Sequence, residues 1–505
     1  MPRLSPIFAL WACFVLRGSF YAAMLPLWEG VDEWAHFGVI RAVAYGGKLL
    51  PPRDVLLSRD IDQSLRLVPL AWELRRFPPP YQTHDTYWQL PEAERQARQD
   101  AFHAMPGDWQ RTTAGSSLGA YEVQQAPLYY WVMAPVVWAL RGTSLATQAL
   151  AIRWLGVLLA SLAILLIYTA AREVFGDDQV ALGCAAIVAL MPSLAFVMAR
   201  VGNDCLAMVL FSLLMIKAGQ RPLVMGITLG LGLLTKAYFL SAVPAVAGLL
   251  LYRRAKRPAI IVFSTAAAIA GWWYIRNLVS FGAPAGMDDT QVIPRLGFGG
   301  ALRRAVSIPW GRAIDATLFS HLYCGGWSWL TVRSWMYHAL YVVAALAAIG
   351  LLRVVKRPGL GWLLALYLWF WVGIFWDVVL IFLTKDVAAS MGWYLFAVVG
   401  AEVVLAVAGL SVFLGRWTAP AGVTLFAALD LWGMHRLAIP YYAGLIRHTA
   451  GGGLESLRWN MLNVSVVFGR LTAFKLSPGL LLALWLAYLA ATIGLVAIGV
   501  RTARR

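Results

Sequence analysis

Long apolar runs recur along this chain, near 148–170, 179–199, 204–219, 222–236, 237–252, 258–275, 335–352, 359–383, 390–413, 418–440 and 477–500, after a first run around LSPIFALWACFVL. The longer ones reach the roughly 20 residues a helix needs to cross the hydrocarbon core of a bilayer. A backbone in lipid must satisfy its own hydrogen bonds, so runs of this length become helices rather than open strands. The predicted fold class is an all-α polytopic membrane protein. Only 13% of the 505 residues are charged and 60% are apolar, against roughly 25% charged in soluble domains. The net charge of +17 does not point to nucleic acid, because the basic residues stand in short clusters between apolar runs.

Those clusters set the topology. With the N-terminus cytoplasmic, AREVFGDD (171–178), KAGQR (217–221), YRRAKRP (252–258), RVVKR (353–357), LGRWT (414–418) and the terminal RTARR all fall inside, as the positive-inside bias asks. This holds when PLYYWVMAPVVWAL (127–140), about 14 residues long, lies at the outer interface without crossing. The count is then about twelve transmembrane helices, the first uncleaved and ending near Leu27, with both chain ends inside. Arg17 lies within that first helix without a local reason. Three large segments fall outside, at 28–147, 276–334 and 441–476; the first carries interfacial, juxtamembrane helices, with a polar helix expected over 91–104. Residues 1–440 read as one transmembrane catalytic module, and 441–505 as an outer segment plus the last helix. The four cysteines show neither a disulfide framework nor a CxxC metal spacing.

This topology gathers ionisable residues on one face. WEGVDEWAHF (28–37) brings Asp32, Glu33 and His36 out of the first helix; Asn203 and Asp204 stand at the outer end of the third; Lys236 sits at a helix turn; Arg276 ends the seventh. Ionisable groups near membrane depth are costly and point to a site. The plainer readings are interfacial acids, an Asn or Asp helix cap and snorkelling cations.

The same residues carry a resemblance. VDEWAHFGVIRAVAYGGKL, YEVQQAPLYY, RVGNDCLA, LLTKAYFL, WWYIRNLVSFGAP and MGWYLFAVVGAEVVL follow the order and spacing of the GT-C membrane glycosyltransferases. They resemble most the members near the protein O-mannosyltransferases and the lipid A aminoarabinose transferases. The resemblance covers about residues 1–410 and implies a GT-C-like fold in a bacterial cytoplasmic membrane, with the site facing outward. It implies a polyprenyl-phosphate sugar as donor and an extracytoplasmic acceptor, be it glycan, lipid or protein, alongside membrane lipid. It assigns Asp32 and Glu33 to the acidic pair after the first span, and Asp204 to the second acid, as catalytic residues. Two departures stand out: the family's Pro-Pro is Ala126-Pro127, and its Arg-Tyr is Trp393-Tyr394.

Transfer from such a donor asks for a carboxylate to take the acceptor's proton and for cations or a metal at the departing phosphate. Attack opposite the leaving group inverts the anomeric carbon. Asp32 is the expected base. Lys236, Arg276, Asn203, His36, Gln125, Tyr129, His321 and Tyr394 are the expected substrate contacts, although Tyr129 and Tyr130 read as interfacial belt anchors ahead of sugar platforms. On a helix the i, i+4 spacing of Asp32 and His36 shares a face and permits a divalent metal. Three other function classes compete: a transporter or flippase for lipid-linked glycans, which would show internal repeats, a glycan ligase or polymerase relying on Arg303, Arg304 and His321, and a non-catalytic scaffold, disfavoured by the cost of clustered ionisable groups.

Overall fold

The computed structural model describes residues 6–458 and 463–500, so the RTARR cluster lies outside the described residues. Among the described residues the chain is mostly helical, and the only strands there, Pro69–Leu70 and Gln82–Thr83, form a short parallel pair in the 28–147 segment. Among the described residues, seven helices are long and apolar enough to cross a membrane, or eight if the bent pair Asp178–Leu190 and Pro192–Met198 counts as one crossing. The chain is thus a multi-pass membrane protein. A count of twelve requires more: the short helices Asp204–Met215, Pro222–Leu233 and Ala237–Tyr252 must also cross. It also counts Val399–Leu414 and Thr418–Gly433 separately. The 127–140 run forms a helix of 12 residues, Leu128–Ala139, too short to span.

The first helix, Pro6–Met24, stops before Leu27, where Pro26 cannot continue it. It packs against the last helix, Pro478–Val500, and against Leu145–Phe175. The two ends of the chain therefore close one bundle, and the proposed boundary at 440 falls inside the helix Ile439–Tyr442. Arg17 finds its reason here. Its Nη2 lies 2.8 Å from Asp430 Oδ1, both residues being buried, and Asp430 also accepts from the hydroxyls of Tyr21 and Tyr488.

Helix contacts within the bundle rest on small residues, as expected where lipid removes the hydrophobic drive for helix association. Gly226 and Gly230 form a GxxxG face on Pro222–Leu233, where an added Cβ would stand 2.8 Å from the Val262 carbonyl and from Ile269 Cβ respectively. Gly350 and Gly409 let the helices Ser334–Val354 and Val399–Leu414 meet backbone to backbone.

The three large segments expected outside, 28–147, 276–334 and 441–476, pack onto one another at one end of the bundle. The first contains Glu33–Tyr45, Arg59–Leu67 and Glu92–His103, the last matching the polar helix expected over 91–104. The second begins only after Phe281, because Lys256–Phe281 runs past Arg276 to a left-handed Gly282. Glu29, fully enclosed, ties the three segments together: it accepts from Ser328 N at 2.8 Å, Ser328 Oγ at 2.9 Å and Tyr442 Oη at 3.1 Å.

Candidate active site

Two helix breaks build the site. Pro192 bends the path of the Asp178–Met198 segment by 64°, and the chain then runs irregularly from Ala199 to Asn203 before the helix Asp204–Met215 begins. Irregular backbone at membrane depth survives only where protein groups satisfy it. Val201 N–H donates to Glu33 Oε1 at 2.9 Å, and Gly202 N–H to the Tyr129 hydroxyl at 3.0 Å. The second break, between Pro222–Leu233 and the turn Ala237–Ser241, presents Lys236.

Asp204 stands at the centre. Its Oδ1 accepts from Lys236 Nζ at 2.6 Å and from Tyr238 Oη at 3.2 Å; its Oδ2 accepts from Arg200 Nη2 at 2.6 Å. Arg200 also donates to the Val31 carbonyl, and its Nε, though buried, has no partner. Gly30 is needed here, since a Cβ would stand 2.6 Å from Arg200 Cβ. Lys236 Nζ lies 5.0 Å from the ring centre of Tyr238 and 5.2 Å from that of Tyr394.

The acidic pair is divided. Asp32 precedes the helix Glu33–Tyr45 in a left-handed conformation, φ 55°, which Asp tolerates better than most residues. It is half-buried, and its Oδ1 accepts from the Tyr121 hydroxyl at 2.5 Å. Glu33 is wholly enclosed. Arg153 donates to both its oxygens, at 2.7 and 2.6 Å, and Gly30 N–H adds a third partner. Burial pushes the Glu33 carboxyl up, but Arg153 and the two backbone N–H groups hold it below the usual carboxylate range.

Glu122 and His36 form a buried pair beside Asp32. Burial, and then the charge of Asp32, raises Glu122 to about 8 despite the opposing Lys236. His36 is pushed well below its ordinary value by burial and by Arg200 and Lys236. Burial thus favours the neutral form of both groups. The Tyr130 hydroxyl donates to the Glu122 carbonyl at 3.2 Å and lies 2.9 Å from His36 Nδ1. His36 Nε2 faces Glu122 Oε2 at 3.8 Å.

The structure thus brings Asp32, Asp204, Lys236, His36, Asn203, Gln125 and Tyr394 to one end of the bundle, with Glu33 and Tyr129 supporting them. Asn203 Nδ2 donates to the Thr235 carbonyl at 3.2 Å and to Gln125 Oε1 at 3.4 Å. Arg276 sits in a neighbouring niche with Gln124, Gln125 and Arg53, its Nη1 donating to Asn277. Three expectations need correction. Tyr129 and Tyr130 are buried rather than interfacial, because Leu128–Ala139 turns this face onto Glu33–Tyr45. His321 is spent elsewhere: Nε2 lies 2.8 Å from Glu402 and Nδ1 3.1 Å from the Gly392 carbonyl. Asp32, as a left-handed cap, does not share a helix face with His36; among the described residues no group of three His, Cys, Asp or Glu side chains is placed to hold a metal. Arg200, Tyr121, Glu122 and Tyr238 belong to the cluster without having been singled out. Their signal was position: all four lie inside the motifs RVGNDCLA, YEVQQAPLYY and LLTKAYFL, and Arg200 stands four residues before Asp204.

No protein-family model and no curated protein matches the chain. Among solved structures it is similar to ArnT from Cupriavidus metallidurans bound to undecaprenyl phosphate, at 14% identity and TM-score 0.48, over 97% of this chain and 77% of that one. It is also similar to ArnT of the same organism in the apo state, at 14% and 0.40, over 92% and 76%. An oligosaccharyltransferase from Archaeoglobus fulgidus, solved with zinc and sulfate, matches at 15% and 0.44, over 85% of this chain and 52% of that chain.

Proposed function

We propose that this chain is a membrane glycosyltransferase of the GT-C type, moving a sugar from a polyprenyl-phosphate donor to an acceptor outside the cytoplasmic membrane, with inversion. The observation that carries the reading is the division of labour at one end of the bundle. Asp32 keeps an oxygen without a protein partner and is half-exposed, whereas Asp204 is neutralised by Arg200 and Lys236. A base and a cationic pair therefore lie together, which is what the reaction requires.

In this reading the acceptor oxygen attacks the anomeric carbon and its proton passes to Asp32. The bond from that carbon to the phosphate oxygen breaks, and polyprenyl phosphate departs with the electron pair. Lys236 has three N–H donors, of which Asp204 takes one; the others, with Arg200 Nε, are available to the phosphate. Tyr121 orients Asp32. Glu33 holds the scaffold through Arg153 rather than joining the reaction. The described donor set does not fit a metal, since both oxygens of Asp204 are taken and His36 faces Tyr130 and Glu122, so no step is routed through one. The catalytic module draws on the whole bundle, which the last helix closes against the first, and the outer segments shape the acceptor's approach.

Reconstitution with radiolabelled polyprenyl-phosphate sugars, wild type against Asp32→Asn, tests the reading. Transfer or donor hydrolysis lost in the variant supports it. Energy-dependent translocation of the lipid, unaffected by Asp32→Asn, would replace it with a transporter.

A further inference from the structure

At the opposite end of the bundle lies a larger cavity. Glu173 is twenty residues along the helix Leu145–Phe175 from Arg153, about 30 Å at the helical rise. Beside it opens a cavity of about 810 Å³. Its rim carries Lys217, Arg253, Lys356 and Arg357, drawn from three of the basic clusters that mark this end in the sequence. Its one lining carboxylate, Glu173, accepts from the backbone N–H of Lys217 at 2.8 Å. Arg253 donates to Gln220 Oε1, a neutral group, at 2.8 Å, and none of the four cations has an ion pair among the described residues.

Two further features shape the cavity. Gly359 and Gly361, at the start of the 26-residue helix Leu360–Lys385, line it, so the positive end of that helix adds to the field of the cations. The floor is apolar: Ala245, Leu249, Leu363 and Trp362, the last fixed by donating to the Leu214 carbonyl at 2.9 Å. A cationic rim over an apolar floor, at the level of a bilayer surface, matches an amphiphile with an anionic head.

We propose that this cavity binds the phosphate headgroup of an anionic membrane phospholipid, its acyl chains descending along Leu249 and Trp369. The site lies a bundle's length from Asp32 and stands independently of the transferase reading. Lys217, Arg253, Lys356 and Arg357 grip the phosphate, and the helix start at Gly359 receives one of its oxygens.

The test uses the full-length protein in detergent, titrated with phosphatidylglycerol, phosphatidylcholine or inorganic phosphate and followed by native mass spectrometry. Wild type should retain phosphatidylglycerol in preference to phosphatidylcholine. The variant Lys217→Gln/Arg253→Gln/Lys356→Gln/Arg357→Gln should lose at least about tenfold in affinity, each cation near a bilayer surface being worth roughly fivefold. Arg76→Gln, in the first outer segment, should bind as wild type does. Gly248→Phe tests the site without touching charge. Gly248 lines the cavity, and a Cβ there meets nothing within 4 Å, so the ring fills the floor and should weaken binding while the protein melts normally. Equal retention of both lipids, wild-type affinity in the charge variant or in folded Gly248→Phe, or saturation by inorganic phosphate at the lipid's own concentration would overturn the proposal.

Discussion

Two buried Arg–Asp clusters, each with tyrosine hydroxyls on the carboxylate, differ in what they leave unused. In the first, Arg17, Tyr21 and Tyr488 all converge on Asp430. In the second, Arg200, Lys236 and Tyr238 converge on Asp204, but around it stand groups with capacity to spare: a half-exposed Asp32 and a Lys with further donors. Burial and ion pairing are common to both. Each arginine keeps a buried Nε without a hydrogen-bond partner, so what separates the site from the staple is the half-exposed Asp32 carboxylate and the spare Lys236 donors beside Asp204.

The sharpest way to break that contrast is to neutralise each acid in turn. Asp32→Asn should lower transfer by roughly 10² to 10⁴, the range for a general base, with thermal stability unchanged. Asp430→Asn should do the reverse, costing about 3–5 kcal/mol by leaving Arg17 buried and unpaired, measured by unfolding in detergent. Turnover per folded molecule should hold; a stable but inactive Asp430→Asn protein would erase the distinction.

Smaller effects sharpen it. Lys236→Gln should cost roughly 10² to 10³ in turnover, as removal of a transition-state donor does, and Lys236→Arg should recover part of the loss. Tyr121→Phe removes one hydrogen bond to a charged group, worth about 1.5–3 kcal/mol, and should reduce turnover by roughly tenfold to a hundredfold with little change in donor KM. The smallest effect is on stability against pH. Glu122 stands near 8 in the folded chain against an ordinary 4.5. Its contribution is fully present below about pH 4.5 and is lost as pH rises towards 8, because the unfolded chain releases that proton first. Glu122→Gln should flatten that decline in a melting-temperature series.

Much of this was legible in the sequence. Asp32, Asp204 and Lys236 could be placed on one face because each sits at the end of an apolar run, where polarity changes abruptly. The 91–104 helix was equally plain, since its run of polar helix-forming residues is local. Arg17 was not: its partner lies near the other end of the chain, and no periodicity connects the two. Glu33 and Asp32 could not be told apart, because adjacent residues share every sequence feature, while one left-handed turn sends their side chains into different surroundings. Tyr129 read as an interfacial aromatic because its run is short and apolar, and only packing against Glu33–Tyr45 showed the face to be buried.

The sequence by itself determined that the chain is helical and crosses a membrane many times. That is because backbone in lipid allows few alternatives, and apolar length and basic clusters are written in consecutive residues. The tertiary structure decided which acid is enclosed and which is open, which cations meet which carboxylates, and how the short helices break to present Asp204 and Lys236. Those outcomes depend on contacts between distant segments, where a glycine's missing Cβ or a proline's bend sets distances that no local pattern encodes.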